Sequence, residues 1–136
     1  MSQVLSILAL STLLACAVSS AAGRGPLAAG AWGGPHIRLD VAEDGTAAVE
    51  LDCAHGTVSE PIVPDGSGAF RAAGTYAREH GGPIREGEAS ADHPAVYAGT
   101  VDGAKLTLTI TLAGAQEEVG RFELERGRTP RLTKCL

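Results

Sequence analysis

Hydrophobic and polar residues alternate along most of this chain with a period of two. Ile37, Leu39 and Val41 are interleaved with Arg38 and Asp40, and Ala47, Val49, Leu51 and Cys53 with Ala48, Glu50 and Asp52. The clearest run sets Leu106, Leu108, Ile110 and Leu112 against Lys105, Thr107, Thr109 and Thr111. Successive side chains of a strand point to opposite faces, so each run predicts a strand with one apolar side. The threonines suit an outward β surface. Shorter runs predict strands over 57–63, 70–77, 95–101, 119–125 and 131–135. Asp44-Gly45 and Asp102-Gly103 are hairpin dipeptides, and 65–68 and 113–115 read as further glycine turns. No long stretch repeats apolar residues at helical spacing. About eight short strands in succession predict an all-β domain, an antiparallel up-and-down barrel that leaves no exposed edge; a β-sandwich is the alternative. Pro61 and Pro64 demote the third run to an edge or irregular strand. The stretch 81–94, GGPIREGEASADHP, has no periodicity. It is long for a hairpin connection, and loops of that length are usually functional or mobile.

The first charged side chain is Arg24. Before it, an apolar run over 4–14 is followed by Ser19, Ser20, Ala21 and Ala22, the order of a secretory leader, although no Lys or Arg stands in the first three residues. A membrane span needs roughly 20 apolar residues, more than this run supplies. The expected organisation is a signal peptide over 1–22, a Gly/Ala-rich tether over 23–34 and a barrel domain over 35–136. A domain of this size buries about two thirds of the surface its unfolded chain exposes, so a covalent staple would help it. Three cysteines, Cys16, Cys53 and Cys135, make an odd number for an exported chain. Leu13-Leu14-Ala15-Cys16 resembles the bacterial lipobox, with Leu14 where a smaller residue is more usual. That resemblance implies cleavage before Cys16, a lipid on its sulfur and attachment to the cell envelope. The alternative is cleavage after Ala22, which discards Cys16 and releases the domain to the periplasm or medium. In either case Cys53 and Cys135 are expected to pair in an oxidising compartment.

Eleven Lys and Arg against 16 Asp and Glu leave a net charge of −5. The basic residues gather only near the end, at Arg121, Arg126, Arg128, Arg131 and Lys134, interrupted by Glu123 and Glu125. Trp32, Phe70, Tyr76, Tyr97 and Phe122 are too few to form a base-stacking platform. Nucleic acid is therefore not an expected partner.

Gly30-Ala31-Trp32, just before the first predicted strand, resembles the Gly-x-Trp signature of the calycin barrels, which include lipocalins and avidin-like proteins. The resemblance implies that Trp32 plugs one end of a barrel with a basic residue of a late strand across it, Arg121 or Arg126. Avidin-like proteins line their biotin pocket with several tryptophans; this chain has one, so biotin binding does not carry over. Segments such as DCAHGT and REHGGPI also resemble small exported bacterial proteins of unassigned function.

Candidate chemistry is sparse. His55 and His80 stand at predicted strand ends, each followed by glycine, and with Glu79 they could share a mouth and hold a divalent metal. No HExxH spacing supports a metalloenzyme, and the plainer reading is solvated turn residues. Tyr76, Arg78 and Tyr97 could supply the polar contacts of a small cavity, or the tyrosines could simply pack beside Gly74 and Gly99. Ser59, Ser67 and Ser90 lie outside any G-x-S-x-G context. The expectation is a non-catalytic envelope domain, monomeric and without cofactor, that meets the membrane only through a lipid and binds a small ligand or an envelope protein. A purely structural or protein-interaction module and a metal-assisted hydrolase using His55, Glu79 and His80 are the alternatives.

Overall fold

The structure is a computed structural model and describes residues 25–80 and 92–135. Eight antiparallel strands, β1 (Gly30–Gly34), β2 (Ile37–Val41), β3 (Ala47–Leu51), β4 (Ala54–Val58), β5 (Ala69–Arg78), β6 (His93–Asp102), β7 (Lys105–Leu112) and β8 (Glu117–Arg126), close in sequence order into an up-and-down barrel. The expected fold class is therefore the observed one. Alternation does what the sequence implies: Ile37, Leu39, Val49, Leu106, Leu108 and Ile110 all turn into the buried core. The facing residues Arg38, Ala48, Thr107 and Thr109 lie on the outer wall.

Three strand expectations need correction. Residues 30–34, read from composition as part of the tether, form β1, and Leu27 before them is buried in the core. The third run forms a strand over Ala54–Val58 and then leaves the sheet before Pro61 and Pro64, as their missing N–H groups require. The last run, 131–135, is not a strand; among the described residues its one ladder contact is a parallel bridge between Pro35 and Arg131.

The first and last of these differences share a physical cause. After β8 the chain reverses at Gly127 and runs back across the outside of β1. Gly127 N–H donates to Ala31 O at 2.8 Å, Arg131 N–H to Gly34 O at 3.2 Å and His36 N–H to Arg131 O at 2.8 Å. A Cβ on Gly33 would collide with the Arg128 carbonyl and meet Pro130 N at 2.9 Å. One on Gly34 would collide with the carbonyl of Glu123. Glycine here is not a sign of flexibility but the condition for two backbones to approach. The tail is fastened at its far end by the Cys53–Cys135 disulfide, whose Cα atoms are 5.2 Å apart across 82 residues of sequence.

The two ends of the barrel differ. At one, Leu27 N–H donates to Ile62 O at 2.7 Å and Ile62 N–H to Gly45 O at 2.8 Å, which sets the buried Leu27 and Ile62 onto the core. The other end carries the β1–β2 and β3–β4 turns, the end of β5 and the disulfide, and it is open. Between them Tyr97 fills the barrel. It is fully buried and donates to Thr75 O at 2.6 Å. Gly56 and Gly74 make room for its ring: a Cβ on Gly56 would collide with the Tyr97 hydroxyl, and one on Gly74 would meet Tyr97 Cε2 at 2.9 Å.

Gly56→Ala should therefore destabilise the barrel by about 2–3 kcal/mol through overpacking, read as a lower urea midpoint. Cys135→Ser should remove ~4.5 kcal/mol in the chain-entropy account. An unchanged midpoint in either variant would contradict the packing or the latch described.

Candidate functional site

The open end holds a cavity of about 380 Å³ lined by Leu51, Ala54, Tyr76, Val119 and Phe122 on its apolar side, with His36, Asp52, Cys53, Arg78 and Glu79 around it. That volume falls within the ~300–1,000 Å³ of small-molecule sites. The barrel places each residue. Tyr76 and Arg78 follow Phe70, Ala72 and Gly74 on the inward parity of β5, which brings Arg78 opposite Ala54 at the lip. Phe122 shares the inward parity of β8 with the buried Leu124, and the register slip between Ile110 and Thr111 leaves Val119 as the extra residue beside it.

Two carboxylates on the rim are tied up. Asp52 Oδ2 faces His36 Nδ1 at 2.6 Å, while Oδ1 accepts the Thr133 N–H at 2.8 Å. The Thr133 bond, with help from His36 and against partial burial, holds the Asp52 carboxyl below its ordinary value of 3.8. Glu79 Oε1 faces His55 Nδ1 at 3.0 Å and Oε2 faces Lys134 Nζ at 3.3 Å. Partial burial pushes Glu79 up, but His55 and Lys134 outweigh it and keep it below 4.5. Lys134 also donates to Leu51 O at 2.8 Å and pairs with Glu50. Thus Thr133, Lys134 and Cys135 of the tail all fasten to the rim. Arg78 has neither ion pair nor hydrogen bond among the described residues, and it is exposed at the lip.

The structure sorts the candidate residues. Tyr76 and Arg78 line the cavity together; Tyr97 does not, being buried in the interior with its hydroxyl satisfied and pushed up in pKa by burial and by Tyr76. His55 and Glu79 do meet, at the rim: His55 stands on the outer face of β4 opposite Glu50 of β3 in register, and the second Glu79 oxygen belongs to Lys134. Among the described residues no group of three or more His, Cys, Asp or Glu side chains is arranged to hold a metal. Trp32 is buried in β1 directly opposite Arg126, whose Nη2 donates to Ala29 O at 3.4 Å. Arg121 instead stands on the outer wall opposite Thr109. Cys16 and residues 81–91 of the long β5–β6 connection lie outside the described residues.

Sequence reasoning missed His36, Asp52, Val119 and Phe122. The one local signal was Pro35-His36. Proline at the first central position of a turn and positive φ at the second mark a type II turn, where glycine or asparagine is usual. His36 adopts φ 69° there, a left-handed conformation that disfavours a side chain by about 1 kcal/mol.

Compared with protein-family models, curated proteins and solved structures, the chain matches none of them.

Both depressed carboxyls hold the tail when ionised. Their contribution is complete above the ordinary values of 3.8 and 4.5 and fades as pH falls through their lower folded values. Asp52→Asn should be less stable than the native chain at about pH 6 and should lose less of its urea midpoint on going to about pH 3. Parallel acid profiles would show that the Asp52 carboxylate does not hold the tail.

Proposed function

We propose that this chain is an exported, non-catalytic barrel domain, anchored to the cell envelope by a lipid on Cys16, whose open mouth binds a small ligand with an anionic group and an apolar body. One observation carries the reading: a guanidinium, Arg78, without a partner among the described residues, at the lip of a cavity floored by Tyr76, Phe122, Val119 and Leu51. The chain as a whole is acidic, at −5, yet the two carboxylates nearest the cavity are already occupied by His36, Thr133, His55 and Lys134. Arg78 is the cation at the cavity left without a partner among the described residues, and guanidinium pairs with carboxylate in bidentate geometry. Tyr97 fills the interior below, so the ligand sits in the mouth and does not thread the barrel. The leader order and the Leu13-Leu14-Ala15-Cys16 likeness to a lipobox support the anchor.

A simple probe is 3-phenylpropionate, a carboxylate with an aromatic body. Titration followed by amide resonances should shift residues around Leu51, Tyr76 and Phe122, with a Kd of about millimolar as befits so small a ligand. Arg78→Gln should weaken binding about tenfold. No shift at the mouth in the native domain would overturn the anion reading. The intact mass of protein recovered from the envelope should show lipid on Cys16; an unmodified chain beginning after Ala22 would replace the anchor with free release.

A further inference from the structure

We propose that His36 is the second polar contact of this mouth, and that it reads a hydrogen-bond donor on the ligand, so that the preferred ligand is an apolar-bodied hydroxy acid rather than a plain carboxylic acid. This rests on the anion reading above and adds to it the identity of the polar head.

The argument begins with the backbone. His36 occupies a turn position that glycine or asparagine would fill without strain, at φ 69°. Non-glycine residues in this region concentrate at functional sites, where the surroundings hold them in place. Here the surroundings do so from two sides. The His36 N–H donates to Arg131 O at 2.8 Å, and its Nδ1 lies 2.6 Å from Asp52 Oδ2. Asp52 is itself oriented by the Thr133 N–H at 2.8 Å. The ring is thus aimed by the tail, which the Cys53–Cys135 disulfide fastens beside the same cavity.

The chemistry of the free nitrogen follows. An ionised carboxylate only accepts, so the proton of the imidazole sits on Nδ1. In the neutral ring Nε2 is then an acceptor, and it has no partner among the described residues. His36 and Arg78 line one cavity, on either side of the β3–β4 turn. The mouth therefore presents a cation with several donors at one side and a neutral acceptor at the other, above an apolar floor. A hydroxy acid satisfies both, its carboxylate on Arg78 and its hydroxyl donating to His36 Nε2. A plain acid leaves the imidazole unused.

The test compares 3-phenyllactate with 3-phenylpropionate, which differ by one hydroxyl, on the oxidised domain. The native domain should bind phenyllactate on the order of five- to tenfold more tightly, the contribution of one hydrogen bond. His36→Gly removes the ring and suits the turn, so it should fold, with unchanged amide resonances in β6 and β7, and bring the ratio of the two affinities to about one. Arg78→Gln should weaken both acids. Equal affinities in the native domain, or a preference that survives in His36→Gly, would overturn the assignment of His36 while leaving the anion site standing. If neither acid binds the native domain, the anion site falls and the His36 reading with it.

Discussion

Closure of the barrel between its first and last strands is the constraint on which everything else depends. The seam is short: β1 meets β8 only through Trp32 opposite Arg126 and Gly33 opposite Glu125. By contrast β5 and β6 run in register from Ala69–Thr100 to Tyr76–His93. So short a ladder leaves the rest of β1 needing other partners for its backbone groups. The tail supplies them. It lies over Gly33, bonds to Ala31 and Gly34, and is held by a disulfide at its far end. Only glycine at 33 lets the tail lie this close, and glycine at 34 likewise admits the Glu123 carbonyl of β8, which is why the chain places glycines where a strand would ordinarily avoid them.

The same clasp shapes the open end. Residues that fasten the tail also line or border the cavity: Asp52 takes Thr133, Glu79 takes Lys134, and Cys53 takes Cys135. Structure and candidate function share these side chains. The carboxylates are taken up as hydrogen-bond acceptors in holding the tail, and Arg78 is left at the lip without a partner among the described residues. A small barrel has little interior to offer. Once Tyr97 occupies it, with Gly56 and Gly74 cut back to fit its ring, a ligand can be received only at an end. Leu27 and Ile62 cover the other one.

Much of the fold was legible because period-two alternation over β2, β3 and β7 is a local property, set by the pleat of each strand and needing no knowledge of its neighbours. The pairing of Cys53 with Cys135 was legible too, from the cysteine count together with the leader reading that sets Cys16 apart. The site was only half legible. Tyr76 and Arg78 announced themselves as bulky and charged residues among small ones, but Tyr97 looked the same and proved to be core filling. His55, Glu79 and His80 lay at strand ends that suggested a shared mouth. Alternation instead sends His55 to the outer wall, while Glu79 borders the cavity and turns its second oxygen to Lys134 of the tail.

By itself the sequence determined that this is an acidic all-β domain of successive antiparallel strands with one covalent staple, because strand faces, turns and cysteine count are written residue by residue. Only the tertiary structure decided that 30–34 is a strand and 131–135 a clasp, that His36 and Asp52 face each other across the β1–β2 and β3–β4 turns, and that Val119 and Phe122 complete the mouth. Each of those outcomes depends on which backbones come within contact distance when the barrel closes. That is a property of the whole ring of strands and of no single segment of it.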